Sequence, residues 1–157
     1  MKLLSIDPGF ERLGIAVISS EKGKLTLAAS ECFKTSAKIP FAERLAAIQE
    51  KVEDVIASHK PTALAIEKLF FSNNQTTAMR VAEARGVVVA TAARHGLAVY
   101  EYTPGEIKVA VTGNGAAGKA AVMKMIPILI HMKTASSSDD EMDAIAVGLT
   151  CLARERL

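Results

Sequence analysis

A chain of 157 residues is long enough for one compact core and too short for two, so residues 1–157 are expected to form a single domain. Half of the residues are hydrophobic and 23% are charged, which excludes a disordered tail. The net charge of +2 is too small to announce a nucleic-acid partner by itself, so the distribution of charge has to decide. Cys32 and Cys151 lie far apart, and His59, His95 and His131 have no metal-ligand spacing. A disulfide framework and a zinc site are thereby excluded, and reduced thiols point to the cytoplasm. No apolar run approaches the length of a membrane span, and the first apolar stretch is too short for a signal peptide.

Lys2 to Ile6 reads as a short buried strand, stopped by the turn-forming triplet Asp7-Pro8-Gly9. Leu13 to Ser19 is a second strand. Glu21-Lys22-Gly23-Lys24 is a hairpin turn into a third, from Leu25 to about Lys34, which makes an antiparallel meander. Phe41, Leu45, Ile48, Val52, Val55 and Ile56 recur at helical spacing, predicting a helix from near Pro40 that ends at Pro61. Ala63 to Ile66 is a fourth strand. After the polar run Ser72-Asn73-Asn74-Gln75, an Ala-rich helix reaches about His95, where Gly96 stops it, and Leu97 to Tyr102 is a fifth strand. The remainder is helical, broken by Gly113 to Gly118, with a last helix from Ser138 to the C-terminus. This order predicts an α/β fold: a mixed five-stranded sheet of three antiparallel hairpin strands plus two parallel ones, with helices on both faces.

Asp7 ends the first strand and Glu67 the fourth. If those strands are neighbours, two carboxylates emerge side by side at the sheet edge where open α/β sheets bind ligands. Each also has a plain reading, since a chain returning to water often does so on an acid. The third acidic element is Asp139-Asp140-Glu141, followed by Asp143. Ser138 and Glu141 fit a capping box, and acids in a first turn suit the helix dipole, which accounts for Asp139 and Glu141. Asp143 is already in the second turn, beside a buried stripe of Met142, Ile145, Ala146, Leu149 and Leu152, and Asp140 adjoins it three residues earlier. Four gathered carboxylates repel unless cations hold them. Oxygen donors alone suit Mg²⁺ or Mn²⁺, and two such ions about 3.5–4 Å apart form a clamp that hydrolyses phosphodiesters.

From Ile107 to Lys133 there is no acid, but Lys108, Lys119, Lys124, Lys133 and His131 occur. A basic stretch beside acids suits a polyanion held next to metal ions, while solvated lysines are the plainer reading for Lys124 and Lys133. Within it, Gly113-Asn114-Gly115-Ala116-Ala117-Gly118-Lys119 matches both a dinucleotide fingerprint and a P-loop. Ala120 stands where a P-loop needs Ser or Thr, and no strand follows the next helix, so both matches are fortuitous. Backbone N–H groups freed by glycine, with the Lys119 charge, still suit a DNA phosphate. Of Phe70 and Phe71, one is expected in the core and the other free to stack on an unpaired base.

Taken in order, these segments resemble the RuvC family of Holliday-junction resolvases over nearly the whole chain. Ile6-Asp7-Pro8-Gly9 with Gly14 is similar to its opening motif, and Ala65-Ile66-Glu67-Lys68-Leu69-Phe70 with Asn74 and Ala84-Arg85-Gly86 to its second. Gly113-Asn114-Gly115 with Lys119 and Val122 resembles its glycine-lysine loop, and Asp140 to Asp143 with Ala144-Ile145-Ala146 its last motif. The resemblance implies a ribonuclease-H-like fold and a homodimer with the Ala-rich helix near its interface. It implies metal ligands Asp7, Glu67, Asp140 and Asp143 for two Mg²⁺ (or Mn²⁺) ions, with Lys119 assisting catalysis. It implies DNA contacts at Phe70, Asn74, Lys108, Gly113, Gly115 and Lys119. The implied reaction is paired, symmetric nicking of a four-way DNA junction, leaving 5′-phosphates, alongside the RuvA–RuvB branch-migration complex. Pro127 inside a helix and the absence of the usual proline in Thr134 to Ser138 depart from the family pattern. They leave Asp139 as an alternative to Asp140. A catalytically silent junction-binding module is the second reading, and an actin-like ATP-binding protein a third that the short chain opposes.

Overall fold

The structure, a computed structural model, describes residues 1–69, 75–132 and 138–155. Its elements are β1 (Lys2–Asp7), β2 (Arg12–Glu21), β3 (Lys24–Lys34), α1 (Phe41–His59), β4 (Ala63–Glu67), α2 (Gln75–Arg94), β5 (Ala98–Tyr102), α3 (Pro104–Thr112), α4 (Lys119–Leu129) and α5 (Asp139–Arg154). The strands form one sheet in the order β3-β2-β1-β4-β5. β1–β2 and β2–β3 pair antiparallel, whereas β1–β4 and β4–β5 pair parallel, so the sheet is the mixed one expected. Among the described residues no helix is long and apolar enough to cross a membrane.

Local chemistry sets the boundaries. The hairpin turn closes on Lys22 and Gly23 alone, both with positive φ, so β2 and β3 extend further than four turn residues would allow. Lys60 adopts a left-handed conformation and ends α1 before Pro61. α3 starts from a capping box in which Thr103 and Glu106 bond each other's backbone N–H. Pro127 does lie inside α4, but in its last turn and on its exposed face. There it removes one hydrogen bond without ending the helix.

Strand side chains alternate between faces, and two cores result. Leu4, Ile6, Ile15, Val17, Leu64 and Ile66 pack under α1 and α2, with Ile48, Val52, Ala84 and Val88. Leu3, Ala16, Ile18, Ala63 and Ala65 pack under α3, α4 and α5, with Ile107, Ile126 and Ile145. By the same alternation Asp7 and Glu67 belong to the α5 face, as do Arg12 and Gly14 on β2.

Two glycines let α5 lie close against that face. A Cβ on Gly14 would sit 2.1 Å from the Asp140 carbonyl oxygen, and one on Gly148 would sit 2.7 Å from both Ile18 Cδ1 and Ser5 Oγ. Asp140 to Gly148 rises about 12 Å along the helix, and Gly14 to Ile18 spans about 13 Å of strand. The two contacts therefore keep step, and α5 follows β2 with its N-terminus at the Asp7 end of the sheet. At the outer edge, Ala28 bulges from β3 where the register shifts, and His131 bridges Thr26. The His131 carbonyl accepts from Leu27 N–H at 3.1 Å and its N–H donates to Leu25 O at 3.4 Å.

Gly14→Ala should place a methyl group against rigid backbone and lower stability by about 1–3 kcal/mol, read as a reduced urea midpoint. An unchanged midpoint would mean that α5 is not seated on β2 in this way.

Candidate active site

One residue beyond the Ile6–Ile66 pair, the parallel neighbours β1 and β4 each end on an acid. Asp7 and Glu67 meet there and are hydrogen-bonded through their carboxyl groups. Burial first, then the charges of Glu67, Asp143 and Asp140, push the Asp7 pKa up to about 8. Burial and Asp143 raise Glu67 as well, against the lowering effects of the Asp7 hydrogen bond and of Lys119. At neutral pH Asp7 is thus favoured in its neutral form, as expected where two carboxyls share one site.

The N-terminal turns of α5 bring in the other acids. Asp140 lies against Gly14, which is paired with Asp7. Its carboxylate accepts from Arg12 Nε at 2.9 Å and from Arg12 Nη2, with Cys32 Sγ at 3.5 Å. Asp143 is joined to Lys119 Nζ at 2.8 Å, and this bond, ahead of the charges of Asp143 and Asp139, raises the Lys119 pKa. Asp139 is 78% exposed and 3.4 Å from Lys119, whereas Asp140 is 22% exposed. Only Asp140 of the two acts on Asp7, so the geometry favours Asp140 over Asp139 as the fourth acid. Glu141 turns inward, held by the Ser138 cap and by Ser30 Oγ at 2.9 Å.

The four expected acids are therefore neighbours, with their carboxylates divided among partners. Among the described residues no three His, Cys, Asp or Glu side chains are gathered so as to hold one ion. Asp7 and Glu67 engage each other, Arg12 engages Asp140, and Lys119 engages Asp143. Beside them opens a cleft of about 240 Å³ lined by Glu67, Lys108, Lys119 and Asp143, with Ile107 and Val122 as its apolar wall. Lys108 and Lys119 thus flank the acids from α3 and α4. The segment 113–118 joins these two helices, with Gly113 as the left-handed end of α3 and Asn114 Oδ1 accepting from Ala116 N–H. No strand precedes it, so neither nucleotide motif is present. Phe70, Phe71, Asn74 and Lys133 lie outside the described residues.

Two participants were not singled out from sequence. Arg12 shares the inward face of β2 with Gly14, a signal readable only once α5 is known to cover that face. Arg85, within the second motif, donates from Nε to the Glu67 carbonyl at 3.0 Å and from Nη2 to Glu101 Oε2 at 2.6 Å. It ties the ends of β4 and β5 to α2.

Comparison with known proteins adds an independent line. Residues 3–151 match the family model described as crossover junction endodeoxyribonuclease RuvC. The RuvC of Alkaliphilus metalliredigens is 43% identical over 149 residues, covering 95% of this chain and 91% of its own. The RuvC of Mycobacterium avium is 39% identical over 150 residues, covering 95% of this chain and 80% of its own. A solved structure of Thermus thermophilus RuvC in complex with Holliday junction substrate superposes with a TM-score of 0.90 at 34% identity, covering 97% of this chain and 93% of that one.

The raised Asp7 pKa gives the cation-free protein a recognisable pH dependence. The folded value near 8 lies above the unfolded value of 3.8, so stability from this group is full below the unfolded pKa and is lost as pH rises through the folded one. In EDTA, Asp7→Asn should unfold at a higher temperature than the native protein, with a gap that widens from about pH 4 to about pH 8. A gap that stays constant across that window would contradict the raised pKa of Asp7.

Proposed function

The chain belongs to the RuvC family of crossover junction endodeoxyribonucleases, and on that premise we propose that Asp7, Glu67, Asp140 and Asp143 are its metal ligands. The activity is that of a Holliday-junction-resolving endonuclease. What supports the residue assignment is the meeting of Asp7 and Glu67 at adjacent strand ends, with Asp140 and Asp143 delivered beside them by α5.

The donor set fits hard divalent cations. All four groups are carboxylates, which suits Mg²⁺ or Mn²⁺, and the nearby Cys32 thiol donates to Asp140 Oδ2 at 3.5 Å. An acid driven to a pKa near 8 by burial first and then by its acidic neighbours also marks negative charge that cations relieve. Two ions, when bound, would supply positive charge against the scissile phosphate and lower the pKa of a nearby water. The protein's own contribution is then positional. Asp7 and Glu67 define the centre, Asp140 and Asp143 turn from Arg12 and Lys119 toward it, and the released Lys119 ammonium offsets charge developing on the phosphate. Lys108 would hold the strand in the flanking cleft; Gly113, whose N–H donates to Val109 O at 2.8 Å, and Gly115 are assigned to the same DNA surface on the family resemblance. Phe70 and Asn74 are assigned to the same DNA surface on the family resemblance alone.

Residues 1–157 are read as one nuclease domain that acts as a homodimer, since symmetric cutting of a four-way junction needs two sites. The outward face of α2 suits the contact: Met79, Ala82, Gly86, Ala90 and Ala93 are exposed along it, and small residues permit close helix packing. A cytoplasmic setting with the RuvA–RuvB complex completes the proposal.

The test is a labelled four-way junction beside linear duplex of the same sequence, with Mg²⁺ and Mn²⁺ titrated and EDTA as control. Paired nicks in the junction alone are expected from the native protein. Asp7→Asn should lose detectable cleavage while binding the junction within a few-fold of native affinity. Mg²⁺ should raise the unfolding temperature of the native protein and not that of Asp7→Asn. Cutting by Asp7→Asn at the native rate would remove Asp7 from the mechanism. Binding without cutting by the native protein at any metal concentration would favour a silent module.

A further inference from the structure

The loop that leaves Asp7 carries an aromatic and cationic cluster that the acids and lysines do not use. Phe10 is buried and meets Phe41 edge-on at 5.8 Å between ring centroids. Two guanidinium groups lie over the Phe10 ring, Arg44 at 4.9 Å and Arg80 at 5.8 Å, and Arg80 also lies over Phe41 at 5.3 Å.

The two arginines are in opposite situations. Arg44 is 5% exposed, and its donors are spent on Thr35 Oγ1 at 2.8 Å and the Phe10 carbonyl at 3.3 Å, with Glu11 at 3.9 Å. It pins the loop after Asp7 to α1. Arg80, on α2, is exposed, and among the described residues it makes no hydrogen bond or ion pair and lies over the two rings. Ring faces hold a guanidinium in place without consuming any of its five N–H donors. The result is a positioned cation with its hydrogen-bonding capacity unspent. Beside it a groove of about 300 Å³ runs between the loop and α2, lined by Gly9, Glu11, Arg12, Thr77 and Val81. Arg12 links one end of that groove to Asp140 of the acid cluster.

We propose that Arg80 is a second anchoring point for the DNA backbone, gripping a phosphate on the side of the sheet edge opposite Lys108 and Lys119. A strand crossing the Asp7–Glu67 edge is then held on both flanks, by α3 and α4 on one and by α2 on the other. Arg80 is a binding residue that touches no reacting atom. The inference rests on the junction-binding reading above.

The experiment is equilibrium binding of a fluorescent four-way junction in EDTA, so that nothing is cut, across a series of NaCl concentrations. Arg80→Met keeps the aliphatic stem and its packing on the two rings while removing the charge and all five donors. It should weaken binding several-fold at low salt and reduce the slope of log affinity against log salt by about 0.9 for each protomer engaged. Arg80→Lys should restore most of that slope, and the unfolding temperatures of both variants should match the native protein. An unchanged slope for Arg80→Met overturns the proposal. So does a loss of binding that Arg80→Lys fails to rescue and that tracks a fall in unfolding temperature, since Arg80 would then be structural. Failure of the native protein to bind the junction at all would sink the functional reading itself, a different outcome from an Arg80 variant that binds as the native protein does.

Discussion

The close seating of α5 on β2 is the constraint from which the site follows. A helix with ordinary side chains at the contact would stand farther from the sheet, as helix and sheet layers normally do. Gly14 and Gly148 remove the side chains that would hold it off, one on the strand and one on the helix. Because the two contacts keep step along the helix and the strand, α5 has one register in which both are relieved. That register puts Asp140 over the residue paired with Asp7 and sets Asp143 one turn beyond. Residues 7, 67, 140 and 143 thus become neighbours through backbone packing, before any charge is considered.

Charge then opposes what packing has assembled. Carboxylates drawn from water toward one another lose hydration and gain repulsion. The chain answers in two ways: the raised pKa of Asp7 favours its neutral form, and Arg12 and Lys119 each cover one of the α5 acids. Both answers are reversible. Arg85 works at a different level, since it grips the backbone of Glu67 and leaves the carboxylate alone.

Much of this was legible in the sequence, and the parts that were not share a physical cause. Strand alternation, the Phe41–Ile56 periodicity and the glycine and proline stops gave the order of elements and the mixed sheet. An acid at the end of each of two short apolar runs gave Asp7 and Glu67. The choice between Asp139 and Asp140 needed the helix to be seated, because two consecutive residues on a helix differ in direction by about 100° and nothing local says which faces the sheet. Arg12 with Asp140, Ser30 with Glu141, and Arg80 over Phe10 are contacts between segments far apart in the chain. No spacing rule encodes them. The first two appear only when the sheet register sets Arg12, Gly14, Ser30 and Cys32 on one face, and the third only when α2 packs beside the loop after Asp7. Pro127 looked disruptive in sequence and is benign in place, since two residues from the end of α4 there is little helix left to break.

The outer edge of the sheet carries a consequence for how copies of this chain meet. An unpaired edge strand invites another chain to add itself by backbone hydrogen bonds, the usual start of ribbon-like aggregation. Here the bulge at Ala28 kinks β3, and the chain leaving α4 returns to occupy Leu25–Leu27 with its own backbone at His131. The far edge, β5, is only five residues long. Strand addition is discouraged at both ends, so association is steered toward helical surfaces, where side chains rather than bare backbone choose the partner.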